Sequence, residues 1–144
     1  MQNPPPVQTT NTPPVQIAKS STGLDENVAA LLSYVMTWVS GLIFFFIEKD
    51  SRLVRFHAMQ AILLGGTAIV LGIGLWIAWV ILLIIVAQIS DVLTMLLNVV
   101  FGLLLFVFYI GLFIAWILSM VKAYQGQYFK LPVFGNFAEK FSAK

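Results

Sequence analysis

Apolar residues along this chain gather into three long uncharged runs, which cover residues 28–47, 61–86 and 99–121. Each run reaches the roughly 20 residues that an α-helix needs to cross the hydrocarbon core of a bilayer. Polar and charged residues concentrate between the first and second runs and after the third. The pattern therefore predicts an all-α fold, an integral membrane bundle of three transmembrane helices.

The regions outside these runs predict two further segments. Residues 1–22 begin with a stretch that holds five of the six prolines, so we expect a disordered tail. Residues 23–134 form the predicted three-span membrane domain. In residues 135–144 the aromatic Phe137 and Phe141 alternate with charged side chains, which predicts a short amphipathic tail at the membrane interface.

Composition supports a membrane protein. The hydrophobic share is 60% and the charged share is 10%, against about 45–50% and about 25% in soluble domains. The chain has no cysteine and a single histidine, so we expect no disulfide and no zinc site. The net charge of +2 is read as an asymmetry across the membrane, and no nucleic-acid partner is expected.

Catalytic motifs are also missing from the sequence. It contains no G-x-S-x-G elbow, no H-E-x-x-H pair and no phosphate-binding loop. An intramembrane protease would need paired acids or a His–Ser pair at depth, but all six acidic residues and His57 lie outside the apolar runs. We therefore expect a non-enzymatic protein with no catalytic, metal-binding or cofactor-binding residues.

The basic residues predict an orientation, because cytoplasmic loops gather Lys and Arg. If three helices cross, one side of the membrane holds Lys19 with Asp25, Glu26 and Asp91. We then expect a multi-pass protein of the cytoplasmic membrane with its N-terminus outside and its C-terminus inside. The inner side would hold the other seven basic residues, Lys49, Arg52, Arg55, Lys122, Lys130, Lys140 and Lys144.

Small residues recur every four positions in the first and third runs. Such faces let transmembrane helices approach closely. We expect the first helix to pack against the third within one molecule; alternatively, these faces meet between subunits. The helix-packing residues are Ala29, Ser33, Thr37 and Gly41 in the first run and Gly111, Ala115 and Ser119 in the third.

The inner side also holds the densest group of polar residues. Basic side chains at the membrane surface attract anionic headgroups or an acidic partner segment. The predicted partners are the lipid bilayer, anionic lipid, and a membrane protein or a second copy of this chain. A polar anchor at the interface is the alternative for His57. The candidate contact residues are Arg52, Arg55, His57, Gln60, Lys122 and Lys130.

Polar residues return between the second and third runs. Gln88, Asp91, Thr94 and Asn98 share one side at helical spacing, and we interpret residues 87–98 as an outer connection at the interface. The alternative makes Asp91 and Asn98 the polar lining of a pore, because ionisable groups at membrane depth are costly and usually functional.

Two segments carry a family resemblance. They are IEKDSRLVRFHAMQ, residues 47–60, and KAYQGQYFKLP, residues 122–132. Over about residues 23–134 the chain resembles a family of small prokaryotic membrane proteins of unknown function. That family is described as similar to the channel-forming inner-envelope subunit of the chloroplast protein-import translocon. The resemblance implies a compact helical bundle in a bacterial inner membrane and, at a distance, a pore or translocation role.

Overall fold

The computed structural model describes residues 18–132 and 134–142, and helices dominate this part of the chain. Among these residues, the helices α3 (Arg52–Ala87) and α4 (Asp91–Tyr124) are long and apolar enough to cross a membrane, whereas α2 (Trp38–Ile47) is shorter. At 1.5 Å per residue α3 is about 54 Å long, more than the roughly 30 Å hydrocarbon core. The helices are α1 (Glu26–Leu32), α2 (Trp38–Ile47), α3 (Arg52–Ala87), α4 (Asp91–Tyr124) and α5 (Phe134–Ser142).

The first predicted span is interrupted. The helix expected over residues 28–47 divides into α1 and α2, with turns at residues 33–37. Thr37 has a φ of 49°, which a β-branched residue rarely adopts. Such a conformation costs about 1–3 kcal/mol and persists where surrounding contacts impose it. The described residues therefore hold two long spans and a broken segment in place of three continuous spans.

Side chains from α2 and α4 satisfy the backbone groups at this break. The Ser40 hydroxyl donates to the Ser33 carbonyl at 2.9 Å and accepts from the Met36 N–H at 3.0 Å. The Trp116 indole donates to the Tyr34 carbonyl at 2.9 Å. An unpaired backbone group in hydrocarbon costs several kcal/mol, so these bonds allow a helix break at membrane depth.

Beyond the break, α2 returns to the level at which α1 began. The Ser21 N–H donates to the Glu48 carboxylate at 3.1 Å, and the Ser51 hydroxyl donates to Glu26. These contacts join the start of α1 to the loop that follows α2. The two helices thus form a hairpin, in which α2 runs antiparallel to the first half of α3.

The hairpin brings both ends of the described chain to one end of the α3–α4 pair. We call this end, formed by residues 18–26, 47–57, 122–132 and 134–142, the basic end, and the turn at residues 88–90 the far end. His57 Nε2 lies 3.0 Å from the Gln127 carbonyl, and Lys130 pairs with Glu139 of α5 at 2.7 Å. The expectation that residues 18–26 lie opposite the C-terminal segment is therefore wrong, because the hairpin reverses the chain. Residues 1–17 of the predicted tail lie outside the described residues.

The outer connection is shorter than predicted. The Ser90 hydroxyl caps α4 by accepting from the Leu93 N–H at 3.3 Å, so α4 begins at Asp91. Residues 91–98, expected in an interfacial connection, form the first turns of α4. At its other end the left-handed Gly126, with a φ of 69°, follows α4.

The buried core adjoins the basic end, and small residues make up most of it. It packs α1 against α3 and α4, and α2 and α5 also pack against α3. Toward the far end α3 and α4 are mostly exposed, apart from the Trp79 and Phe101 rings, which stack at 3.9 Å. The fold thus has a packed half next to the basic end and an open two-helix half next to the far end. The core residues are Ala29, Ala30, Tyr34, Leu53, Val54, Ala61 and Ala123.

Two of the predicted packing glycines have different surroundings. A Cβ on Gly41 would lie 2.8 Å from the Ala58 carbonyl oxygen of α3. A Cβ on Gly111 would meet nothing within 4 Å. The second half of the predicted first helix therefore packs against α3, while its first half packs against α4.

Replacing Gly41 with alanine should lower stability, because the new Cβ would push α2 away from the α3 backbone. We expect a loss of about 1–3 kcal/mol, measured as unfolding in mixed detergent micelles. Gly111→Ala makes the same helical change in open space and should stabilise the protein by up to about 1 kcal/mol. Equal effects of the two substitutions would contradict the close α2–α3 contact.

Candidate functional site

Three polar side chains form a buried network at the basic end. Tyr34 follows α1, and His57 and Gln60 lie one helical turn apart near the start of α3. The Tyr34 hydroxyl lies 3.2 Å from His57 Nδ1 and 3.0 Å from Gln60 Nε2. All three side chains are buried.

This network holds the segment that follows α4. His57 Nε2 faces the Gln127 carbonyl, and Gln60 Nε2 donates to the Phe129 carbonyl at 3.1 Å. The Leu131 N–H donates to Gln60 Oε1 at 3.3 Å. Because a carbonyl accepts and never donates, His57 carries its proton on Nε2 and accepts from Tyr34 at Nδ1. The donors and acceptors match, and the arrangement fixes residues 127–131 on α3.

The structure buries two of the candidate contact residues within the chain. His57 and Gln60 were candidates for headgroup or partner contact, and both are fully buried and bonded within the chain. Their polar groups satisfy backbone atoms that would otherwise be unpaired in the interior. They act as structural residues that position the C-terminal segment.

Glu48 joins the two ends of the hairpin. Its carboxylate accepts from the Ser51 N–H at 2.8 Å, the Asp50 N–H at 3.0 Å and the Ser21 hydroxyl at 2.7 Å. Burial alone would raise the pKa of Glu48, but the hydrogen bonds from Ser51, Ser21 and Asp50 outweigh burial and lower it. The group is thus a charged acceptor that fixes the loop before α3.

The other candidate basic residues lie at the surface or near it. Arg52 is exposed, and the Arg55 guanidinium lies 5.1 Å from the Phe45 ring centroid. Lys122 Nζ donates to the Gln127 side chain at 3.0 Å, and Lys130 pairs with Glu139. All Lys and Arg of the described residues lie at the basic end, namely Lys19, Lys49, Arg52, Arg55, Lys122, Lys130 and Lys140.

The remaining packing candidates occupy both sides of the α1–α4 contact. Ala29 and Ser33 are buried beside α4, and Thr37 is half-buried at the break. On α4, Ala115 is half-buried, and the buried Ser119 donates its hydroxyl to the Ala115 carbonyl at 2.7 Å. These residues permit close approach and carry no further chemistry.

Two cavities adjoin this packed half. An apolar cleft of about 570 Å³ lies between α3 and α4 beside the helix break, with Thr37, Gly65 and Trp116 in its wall. A polar cavity of about 200 Å³ lies between the first turns of α3 and the second half of α5. Within residues 18–132 and 134–142, no three His, Asp or Glu side chains gather as metal ligands.

Comparison with known proteins assigns the chain to a family. Residues 24–138, which include all five helices except the end of α5, match the magnetosome magnetite crystal formation protein family. The chain belongs to this family. The match covers the hairpin, the buried network and most of the basic end.

Archaeal membrane proteins are similar to this family member over most of their length. A UPF0132 membrane protein of Methanocaldococcus jannaschii is 39% identical over 126 residues, covering 88% of this chain and 96% of the relative. A second from that organism is 37% identical, covering 83% and 71%, and one from Archaeoglobus fulgidus is 34% identical, covering 81% and 95%. These relatives are archaeal, whereas the resemblance implied a bacterial membrane. No solved structure matches the chain.

Sequence reasoning missed three residues on which the site depends. Tyr34 lies within the first apolar run, yet its hydroxyl joins His57 to Gln60. Glu48 directly follows that run, and Trp116 lies within the third run. The available signal was the polar content of the first run, where Ser33, Tyr34, Thr37 and Ser40 lie in the stretch that breaks.

Replacing Gln60 with leucine should destabilise the protein, because the Leu131 N–H and the Phe129 carbonyl lose their partner. We expect a loss of about 1–3 kcal/mol and faster hydrogen exchange at the Leu131 amide. Gln88→Leu at the exposed far end is the matched control and should leave both measurements unchanged. Unaltered exchange at Leu131 in the Gln60 variant would contradict the proposed role.

Proposed function

We propose that this family member is a non-enzymatic integral membrane protein that binds anionic lipid through its basic end. The observation that carries the proposal is the collection of all described Lys and Arg residues at that end. Each Lys or Arg near an anionic membrane surface contributes about 1 kcal/mol of attraction. The membrane assignment of the relatives is consistent with this role.

The same charges support an orientation. Basic residues favour the cytoplasmic side, and the turn at the far end contains Gln88, Ile89 and Ser90, followed by the acidic Asp91. We therefore propose that the basic end, with residues 18–26 and 122–142, faces the cytoplasm. This proposal replaces the N-terminus-out orientation expected for three spans, because a hairpin over residues 26–47 that stays on one side would add no crossing.

Helix α5 supplies an amphipathic face at this surface. Its small residues Gly135 and Ala138 are buried, while Phe137 and Phe141 are 56% and 52% exposed. Exposed aromatic residues beside basic ones are typical of a helix lying in the headgroup region. The exposed Lys140 lies on the same helix. We propose that α5 rests in the cytoplasmic headgroup layer.

The pore role remains the alternative that the chloroplast resemblance suggests. It assigns Asp91 and Asn98 to a polar path, and both are exposed near the far end. The Asn98 amide donates to the Thr94 carbonyl of its own helix at 3.0 Å. A path would therefore require other subunits around these residues. A membrane-protein partner or a second copy is likewise part of this alternative.

Magnetite crystal formation is named in the family description. We do not extend that role to this chain, because the feature that argues for a function in the described residues is the basic end. A surface rich in Lys and Arg attracts phosphate and carboxylate groups, which anionic lipids provide at every membrane.

The test is a competition between lipids. The detergent-solubilised protein, given equal amounts of phosphatidylglycerol and phosphatidylcholine, should retain phosphatidylglycerol with at least about fivefold preference in native mass spectrometry, as one contact of about 1 kcal/mol would give. High salt should reduce the preference. Lys122→Gln combined with Lys140→Gln should weaken it, and Asp91→Asn at the far end should not. Equal retention of both lipids would refute the proposal.

A further inference from the structure

The polar cavity between α3 and α5 has the composition of an anion site. Its wall contains Arg52, Phe56, Tyr128, Glu139 and Ser142. The cavity holds about 200 Å³, and the Phe56 and Tyr128 rings form one side, edge to face with centroids 5.4 Å apart. It opens at the basic end, where α5 lies along the first turns of α3.

Arg52 provides the donor group of this cavity. Its side chain is exposed, and it begins α3 directly after the capping Ser51. A guanidinium presents a planar set of N–H donors that matches two phosphate oxygens. The first N–H groups of a helix also favour a negative charge at this position.

Hydroxyl groups complete the donor set. Burial raises the pKa of Tyr128, Glu26 raises it further, and Arg52 partly offsets both effects, so the phenol stays a proton donor. The Ser142 hydroxyl donates to the Glu139 carbonyl at 3.0 Å and also lines the cavity. Its O–H group can instead donate to a bound group that offers a stronger acceptor.

The carboxylate in the wall is already neutralised. Lys130 Nζ lies 2.7 Å from Glu139 Oε2, and that hydrogen bond, the Lys130 charge and, to a smaller extent, the Arg52 charge lower the pKa of Glu139. The Lys130–Glu139 pair contributes no net charge, and Arg52 adds one positive charge to the cavity wall. An anion therefore fits the cavity better than a cation.

The aromatic residues of this surface indicate a lipid as the source of the anion. Tyr128 in the cavity wall is 51% exposed, and α5 also carries Phe137 and Phe141, which are 56% and 52% exposed. Aromatic side chains of this kind lie at the level of headgroups. A soluble phosphate compound would gain nothing from these rings, whereas acyl chains would pack against them.

We propose that this cavity binds the phosphate group of a membrane phospholipid, with Arg52 as its main donor and Tyr128 as a second. The proposal rests on the proposed function, since it requires the basic end to face a lipid surface. It names one site within that surface and a chemical group that the site recognises.

The experiment measures binding of dihexanoyl phosphatidylglycerol, a short-chain lipid, to the solubilised full chain. Arg52→Gln should weaken binding about tenfold or more, as expected for the loss of charge-assisted hydrogen bonds. Lys49→Gln removes the same charge three residues earlier, outside the cavity, and should weaken binding by no more than about fivefold, the contribution of one basic residue of this surface. Tyr128→Phe keeps the ring and removes the hydroxyl, so it should weaken binding several-fold. This second variant tests the site independently if Arg52→Gln does not fold.

Three ligands separate the possible sources. Dihexanoylglycerol lacks the phosphate and should bind weakly, and inorganic phosphate should compete poorly with the lipid. The site would be overturned if dihexanoylglycerol or inorganic phosphate bound as tightly as dihexanoyl phosphatidylglycerol. It would also be overturned if Arg52→Gln and Lys49→Gln lost the same affinity for that lipid. A phosphatidylglycerol preference that persists in the lipid competition while Arg52→Gln binds normally would overturn the cavity and leave the proposed function standing.

Discussion

Pairing of the backbone groups at residues 33–37 is the constraint on which the rest of the structure depends. A bilayer offers those groups no water, so an apolar segment normally continues as a helix across the whole membrane. In this chain Ser40 and Trp116 supply the partners for the Ser33 and Tyr34 carbonyls, which lets the segment reverse. The reversal requires a strained backbone conformation at Thr37. Burial of Gly41 against Ala58 and the bonds to Glu48 then hold α2 beside α3.

Once the segment reverses, the charge distribution follows. Both flanks of the hairpin meet the start of α3 and the end of α4, and the basic residues scattered along the chain gather on one surface. The network of Tyr34, His57 and Gln60 then fixes the segment after α4, so that α5 lies along the same surface. Packing within the half of the fold next to the basic end thus creates the proposed lipid-binding surface.

The sequence predicted the elements whose hydrogen bonds are local. Long apolar helices satisfy their own backbone, so hydropathy placed most of α3 and most of α4. The break was missed because its partner Trp116 lies 82 residues from Tyr34 and leaves no periodic signal. His57 and Gln60 were identified as polar, but their partners are backbone carbonyls of residues 127 and 129, which every residue type provides. The small residues predicted close packing, but their spacing does not indicate which helix Gly41 contacts.

The most direct test of the reversing hairpin is labelling of single cysteines, since the chain has none of its own. Thr22, Lys49 and Ile89 are exposed positions before α1, after α2 and at the far end. In intact cells a membrane-impermeant maleimide should label Ile89→Cys and leave Thr22→Cys and Lys49→Cys unlabelled until the membrane is opened. Labelling of Thr22→Cys together with Ile89→Cys, while Lys49→Cys stays protected, would show that residues 26–47 cross the membrane and would contradict this account.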